Sequence, residues 1–541
     1  MTSPAIAPDL IRHIEPTRLT LQAIADRMQN SLVSGARSAI AREAGDAAAA
    51  LFMADGKLIA QARSLPLLLG SLIPAVQATL KAFPASDMQP GDGFLLNDPW
   101  NGGAHLPDLT LIRPVFNGNH LIGFGAASLH HQDVGGITPG SIPPNARSIF
   151  EEGLRLPPVR SHRAGELEPS IAAILSANSR TPEALLGDLA SQWSCLVLGG
   201  RELTQLAGRL GNNYSRACQT LIHQSEAMTR AALLREPDGT SEWEDQLDSD
   251  GVTTDPVKIR VRIDKTGDHV RIDFTGSSPQ TSGPANAAPA AMMAAALYFM
   301  RCLAPDAPNN AGCLAPLDLV LPAGSVVNPD YPAAVNARTA TVKLACNAII
   351  SAWSRDRSAT SAAANAGVAT VIAFGGSTDD GQRYQLTEIV ASGAGGSSFR
   401  PGASGLSTDV GNARNTPVEI IERETPIRVE SYSFNRGSGG DGQNRGGDGL
   451  RRCYLLTEGT THVSYRGERH NSQARGLQGG LPGLASKAQI IRSNGDAEQL
   501  TARTQIQWRA GERLIIETAG AGGWGAVDAT PHNPAVRRTE C

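Results

Sequence analysis

Between residues 16 and 41 apolar side chains recur at Leu19, Ile24, Met28, Leu32 and Val33. Their spacing approximates the 3.6-residue period of a helix with one buried face, and Pro16 suits a first helical turn. The pattern then changes. Ala47 to Phe52 is an unbroken apolar run of strand length, Asp55-Gly56 is a turn, and Leu58 to Ala60 predicts the returning strand. Helical spacing resumes over 65–83. From 91 to 145 strand-like runs, Leu109 to Val115 and Leu121 to Ala126, alternate with loops rich in Gly, Pro, Asn and His. That texture belongs to a rigid scaffold carrying functional loops.

Residues 166–235 are the most helical part. Thr181-Pro182-Glu183 is a helix start, with a hydroxyl at the cap, proline at the first position and an acid in the first turn. The acidic stretch Trp243 to Asp255 predicts a boundary. Beyond Pro256 the period becomes two: Val257, Ile259, Val261 and Ile263 are mirrored by Val270, Ile272 and Phe274 across Lys265-Thr266-Gly267-Asp268, which predicts a hairpin. An Ala-rich helix over 286–302 and another near 340–354 follow, and the last third is rich in glycine and strand patterns. The chain therefore reads as a mixed α/β (α+β), multi-domain protein. Its expected segments are an N-terminal α/β region over 1–165, a mainly helical one over 166–250, an α/β region with the hairpin and Ala-rich helix over 251–400, and a Gly-rich, β-rich region over 401–541.

Composition narrows the classes. Of 541 residues, 41% are hydrophobic, enough for a sizeable core, while 57 glycines and 34 prolines favour turns and irregular backbone over long bundles. The formal net charge of −4 shows no basic excess, so no nucleic-acid partner is expected. Cys195, Cys218, Cys302, Cys313, Cys346, Cys453 and Cys541 form no C-x-x-C pair and are odd in number, which speaks against a disulfide framework or a structural zinc site and for a reducing compartment. Met1 to Ile11 lacks the basic-then-apolar order of a secretory signal. Ala287 to Met300, the most apolar stretch, is too short to span a bilayer and contains Pro289. A soluble, cytoplasmic protein is expected.

Two glycine sets, Gly437/Gly439/Gly442 and Gly520/Gly522/Gly525, match G-x-G-x-x-G. A dinucleotide fingerprint needs a strand before it and a helix after it. The first set runs into more glycine, the second into Asp528 and Pro531, so tight turns between strands are the better reading. No G-x-x-x-x-G-K-[ST] occurs, so the chain is not expected to hold ATP through a P-loop.

Three places carry candidate chemistry: Asn97-Asp98-Pro99-Trp100-Asn101-Gly102-Gly103-Ala104-His105-Leu106-Pro107-Asp108, then His130-His131-Gln132-Asp133-Val134-Gly135-Gly136, and Asp46 at the mouth of the first buried strand. Imidazole and carboxylate suit zinc, manganese or iron(II). His105 and Asp108 are three apart with Pro107 stiffening the link, and the apolar runs that follow would seat such ligands at strand ends. Two His and two carboxylates leave room for water or substrate when coordination expands, which is a catalytic style of site. Against this, a loop histidine is more often a hydrogen-bonding partner than a ligand, and Asn97-Asp98-Pro99 is also a plain Asx-turn.

NDPWNGGAHLPDLTLIRPVF (97–116) and HHQDVGGITPGSIPP (130–144) resemble the signature of the hydantoinase B/oxoprolinase family. The resemblance continues in order through Glu152-Gly153-Leu154, Leu156-Pro157-Pro158, Leu186-Gly187-Asp188-Leu189, the segments 273–280, 308–313 and 415–422, GSGGDGQNRGGDG and the closing GAGGWG. It covers nearly the whole chain. It implies an ATP-dependent enzyme acting on a cyclic amide such as a hydantoin, lactam or 5-oxoproline. A hydantoinase A-type partner would bind ATP with magnesium, in a heterotetramer or larger assembly. A divalent metal in this chain would be held by Asp46, His105, Asp108 and His130. His131 and Asp133 would be catalytic neighbours that orient these ligands. ATP would phosphorylate the amide oxygen in the partner, and water activated by the metal would then attack here. A ketone carboxylase of the acetone/acetophenone type, or a non-catalytic assembly subunit, are the alternative readings. The chain departs from the family at Ser64–Gly70, where two histidines common in the family are absent, and at Val335–Thr339. If these segments line the pocket, they bear on the substrate.

Overall fold

The computed structural model describes residues 8–357 and 361–527; Cys541, residues 1–7, and Asp528 and Pro531 lie outside them. Helix α1 (Pro8–Gly35) begins earlier than the spacing suggests and encloses Pro16. Its buried face is Leu21, Ile24, Met28 and Leu32, whereas Leu19 is 54% exposed. It stops before residue 41 because Asp188 Oδ1 accepts the free amides of Arg37 and Ser38, at 2.6 and 3.1 Å, and a short helix α2 (Ala39–Arg42) restarts beyond them.

Strands β1 (Ala47–Met53) and β2 (Leu58–Gln61) form the expected hairpin. Helix α3 (Pro66–Ala82) follows, then β3 (Gly93–Leu96), β4 (Asp108–Asn117), β5 (His120–His130), β6 (Val159–Arg163) and β7 (Glu166–Leu167). These strands make one seven-stranded sheet in the order β2-β1-β5-β4-β3-β6-β7, with every neighbour antiparallel. Its middle is covered on both sides, which is why β1 reads as a continuous apolar run. Ala48, Ala50, Phe52, Phe94, Ile112 and Phe124 face one core, and Ala47, Ala49, Leu51, Leu95, Leu111 and Leu129 face another.

The second core is closed by α1 and by the long helices α5 (Pro182–Leu210) and α6 (Asn213–Leu234), which follow the short α4 (Pro169–Ala177). Thr181 precedes α5 as expected, though its hydroxyl makes no cap bond. The acidic stretch 243–255 begins inside a strand rather than a boundary: β8 (Gly239–Leu247) pairs along its whole length with β9 (Val257–Thr266). Strand β10 (His269–Asp273) closes the predicted hairpin with Thr266 opposite His269, and β11 (Leu317–Val320) adds a parallel edge. Helices α7 (Pro289–Leu303) and α8 (Arg338–Arg355) lie with α3 between this sheet and the first one. One hydrophobic core thus joins residues 48–126 to residues 233–353.

The remaining chain builds two facing sheets. Strands β12 (Thr370–Ser377), β13 (Arg383–Val390), β16 (Thr460–Arg466) and β19 (Arg503–Arg509) form one, in the order β13-β12-β16-β19. After the short helix α9 (Val418–Glu424), β14 (Ile427–Asn435), β15 (Gly449–Leu456), β17 (Lys487–Ile491), β18 (Ala497–Gln499) and β20 (Arg513–Glu517) form the other, ordered β14-β15-β20-β17-β18. Phe374, Tyr454, Tyr465, Trp508 and Ile516 fill the space between them. The two glycine sets are not simple turns: they are extended segments laid backbone against backbone. Gly440 N donates to Ala521 O at 2.8 Å, Ala521 N to Gly447 O at 3.0 Å and Gly447 N to Ala394 O at 2.8 Å. A Cβ on Gly446 would stand 2.1 Å from the carbonyl oxygen of Ala521, so only glycine permits this approach. Among the described residues no helix is long and apolar enough to cross a membrane.

Candidate metal centre

Strand register assembles the site. Asp108, first residue of β4, lies opposite His130, last residue of β5. Ala47 lies opposite Leu129, and the amide of His130 donates to the carbonyl of Asp46 at 3.0 Å, so Asp46 stands in the same row on the neighbouring strand β1. Side chains alternate along strands. Asp46, Asp108 and His130 therefore share the face that carries Ala48, Ile112 and Ala126, the face turned toward α3 and α7. His105 joins from the loop before β4, which is tied back by the Asp108 amide donating to the His105 carbonyl at 3.0 Å.

The donor atoms converge. His105 Nε2 and His130 Nδ1 each lie 2.9 Å from Asp108 Oδ1 and 3.3 Å from one another. Asp46 Oδ2 is 4.0 Å from His130 Nδ1. All four residues are buried. His105 Nδ1 lies 3.1 Å from the carbonyl of Asn336. A carbonyl only accepts, so Nδ1 carries the proton and Nε2 presents its lone pair to the cluster. Burial, reinforced by the Arg338 guanidinium, holds His105 down at about 3 and keeps the ring neutral. Burial pushes Asp46 up to about 6 against the pull of His130. For Asp108 burial acts upward, but His105 and Arg338 outweigh it and hold the carboxyl well below its usual range. Neutral imidazole, ionised carboxylate and a locked tautomer are what a divalent cation requires of its ligands. The described His105, Asp108 and His130 fit such an ion, with Asp46 at the rim of the group.

His131 and Asp133 are not brought into this cluster. His131 follows His130 and so points through the other face of the sheet, where its Nε2 meets Gln192 Oε1 of α5 at 3.0 Å. Asp133 is buried at the head of the following loop. Its oxygens accept the amides of Gly135, Gly140 and Arg180 at 2.9–3.1 Å and the Arg180 guanidinium at 3.0 Å. Asp98 accepts the amide of Trp100 at 3.1 Å, the Asx-turn, and Asn97 staples its loop to the carbonyls of Leu106 and Leu154.

Several residues at the site drew no role from the sequence. Arg338 is paired with the second oxygen of Asp108. Glu152 Oε1 accepts the amides of Val335 and Asn336 at 2.9 and 2.8 Å, which fixes the carbonyl that orients His105. Burial pushes the Glu152 carboxyl up to about 8. Glu152 stood inside a family motif, which was its only signal. Beside the cluster lies a cavity of about 50 Å³ lined by Asp46, His105, His130, Arg338, Lys343 and Arg466 together with Leu65, Leu67, Thr339, Val371, Ile389 and Val410. The two segments where the chain departs from the family resemblance, 64–70 and 335–339, therefore both contribute to its wall.

A buried histidine-carboxylate cluster at the strand ends of an α/β scaffold, opening on a small cavity, defines a candidate mononuclear metal enzyme. The profile of the hydantoinase B/oxoprolinase family matches residues 14–527, and the chain belongs to that family. It is 30% identical to the 5-oxoprolinase of Dictyostelium discoideum over 94% of its own length, and it spans 40% of that relative. In structure it is similar to the ATP-dependent caprolactamase from Pseudomonas jessenii, with a TM-score of 0.89, 25% identity, and coverage of 97% of this chain and 92% of that one. Its fold is also that of acetone carboxylase in the nucleotide-free state, at a TM-score of 0.88 and 19% identity over 95% of this chain and 76% of the other.

Proposed function

We propose that this chain is the metal-carrying unit of an ATP-dependent enzyme that opens a cyclic amide, with ATP and magnesium handled by a hydantoinase A-type partner. The observation that carries the reading is the single buried row of Asp46, Asp108 and His130, completed by His105, at the edge of a small cavity. The family membership and the likeness to a caprolactamase support the reaction class. A 5-oxoprolinase of which this chain spans 40% has room for a second unit in the same chain, which supports a partner or fused portion that activates the amide. The assembly in this reading is a heterotetramer or larger.

Asp46, His105, Asp108 and His130 would hold zinc, manganese or iron(II), which supplies Lewis acidity and lowers the pKa of bound water toward neutrality. The chain's own residues do the rest. Asn336 and Glu152 keep His105 in the tautomer that offers Nε2, and Arg338 keeps Asp108 ionised and aimed. Leu65, Leu67, Val371, Ile389 and Val410 keep the cavity poor in water, so a phosphorylated amide arriving there meets few competing nucleophiles. We assign His131 and Asp133 a positioning role. Asp133 fixes the loop 133–141, and the carbonyl of Ser141 in that loop holds the Asn336 side chain.

The test is metal content alongside turnover. His105→Ala and Asp108→Ala purified beside the wild type are expected to lose bound metal and ring opening while keeping their circular dichroism. Full metal occupancy in both variants sinks the assignment. Ring opening independent of bicarbonate separates this reading from that of a ketone carboxylase.

A further inference from the structure

The cavity beside the metal ligands carries more positive charge than the metal centre accounts for. Lys343, on α8, is 1% exposed, and its Nζ donates to the carbonyl of Thr408. Among the described residues no carboxylate lies within 4.0 Å of it. Asp409, the acid that acts on it across space, gives its oxygens to Asn365 at 2.8 Å and Thr408 at 3.0 Å. Arg466, at the end of β16, is 7% exposed. Its Nη1 donates to the backbone and side-chain oxygens of Asn336 at 2.9 and 2.7 Å, and its Nε is buried with no partner. It too has no carboxylate within ion-pair distance among the described residues. Glu152, the acid that acts on it, is held largely protonated at neutral pH by its pKa of about 8. Arg338 adds a third cation to the same wall, where Asp46 is the one acid among the described residues.

Two buried cations with no carboxylate in ion-pair contact among the described residues, on one cavity wall, are costly unless the occupant supplies the negative charge. Burial pushes Lys343 down from its ordinary value and Arg466 down to about 9, and an oxyanion between them would reverse both shifts. We infer that the cavity takes a small organic oxyanion, whose carboxylate or phosphate oxygens sit on Lys343 and Arg466 while its apolar body lies against Leu65, Leu67 and Val410. The inference rests on the ring-opening reading for the identity of the reacting end. The oxyanion has two possible sources: a carboxylate belonging to the ring substrate, or a phosphoryl group placed on it by the partner.

Calorimetric binding to the metal-loaded full-length chain without ATP tests this, using matched rings: 5-oxoproline against 2-pyrrolidone, and hydantoin-5-acetate against hydantoin, with inorganic phosphate as a further probe. A ring carboxylate is expected to bind at least about tenfold tighter than its neutral counterpart. Lys343→Met and Arg466→Gln should each remove that advantage, while Lys343→Arg, which keeps the charge, should retain it. If phosphate binds with the same dependence on Lys343 and Arg466 and the ring carboxylate gives no gain, the oxyanion is the phosphoryl group. The inference is overturned if neither anion binds better than the neutral rings, or if the preference survives both charge-removing variants. The wild-type comparison alone decides should a variant not fold. A chain that prefers carboxylates yet retains no metal would defeat the ring-opening reading and leave this one standing.

Discussion

His130 and His131 are adjacent, both buried and chemically identical, yet only His130 faces the cluster. The strand period separates them, because consecutive side chains leave opposite faces of the sheet. The sequence names the ligand types, while the row they share comes from the register between β1, β4 and β5. It offers no sign that Asn336 and Glu152, far along the chain, set the tautomer of His105. Asp133→Asn should loosen the loop that carries Ser141 and weaken metal affinity about 10–100-fold with the fold intact, as measured by competition with a chelator. Glu152 makes a pH prediction. Its folded pKa of about 8 lies above its unfolded value, so the folded state binds the extra proton. Its contribution to stability is complete below the unfolded carboxyl pKa and is lost as pH rises toward 8. Urea unfolding of Glu152→Gln should therefore lose a downward slope of stability with pH that the wild type shows across this window, at most about 1.4 kcal/mol per pH unit. Parallel profiles for the two proteins would show that Glu152 is ionised in the fold.

Among the elements, hairpins and amphipathic faces were legible because their signals are local: β1–β2, β9–β10, α3, α7 and α8 all lie where the spacing puts them. The helix over 16–41 was legible in type but not in extent, because its end is set by Asp188 on α5 rather than by its own residues. The stretch 243–255 looked like a boundary because it is acidic, yet Asp245, Asp248 and Asp250 are buried and Asp245 is paired with Arg469. The glycine segments were misjudged for a related reason. Glycine marks turns locally, but here it allows segments distant in sequence to touch backbone to backbone. Gly446→Ala drives a Cβ into the carbonyl of Ala521 and should cost about 3 kcal/mol or more, since backbone cannot move aside cheaply. Gly437→Ala has open space and only a left-handed φ of 79°, and should cost about 1 kcal/mol. Chemical denaturation of the two variants gives the comparison, and equal losses would mean the stack tolerates the methyl group.

For the molecule as a whole, the cores do not respect segments drawn along the chain. Residues 48–126 and 233–353 share one hydrophobic core, and the C-terminal sheets deliver Val371, Ile389 and Arg466 to the cavity beside the candidate metal ligands. The site is thus closed by parts from both ends of the chain. In the proposed function, activation of the amide falls to a partner or fused unit; the chain spans 40% of a 5-oxoprolinase. The purified chain alone should release no phosphate from ATP in the presence of a cyclic amide, and adding the hydantoinase A-type partner should produce phosphate release coupled to ring opening. ATP hydrolysis by the isolated chain, measured as released phosphate, would reverse that division.

By itself the sequence determined the mixed α/β character, the hairpins, most helices, the family, and which residue types gather at the candidate metal site, because these are written in short-range periodicity and contiguous motifs. Only the tertiary structure decided that Asp46, Asp108 and His130 stand in one row, that His131 turns away, and that Arg338, Lys343 and Arg466 crowd the cavity. Register between strands and contact between residues hundreds of positions apart depend on how whole layers pack, and no local pattern encodes that.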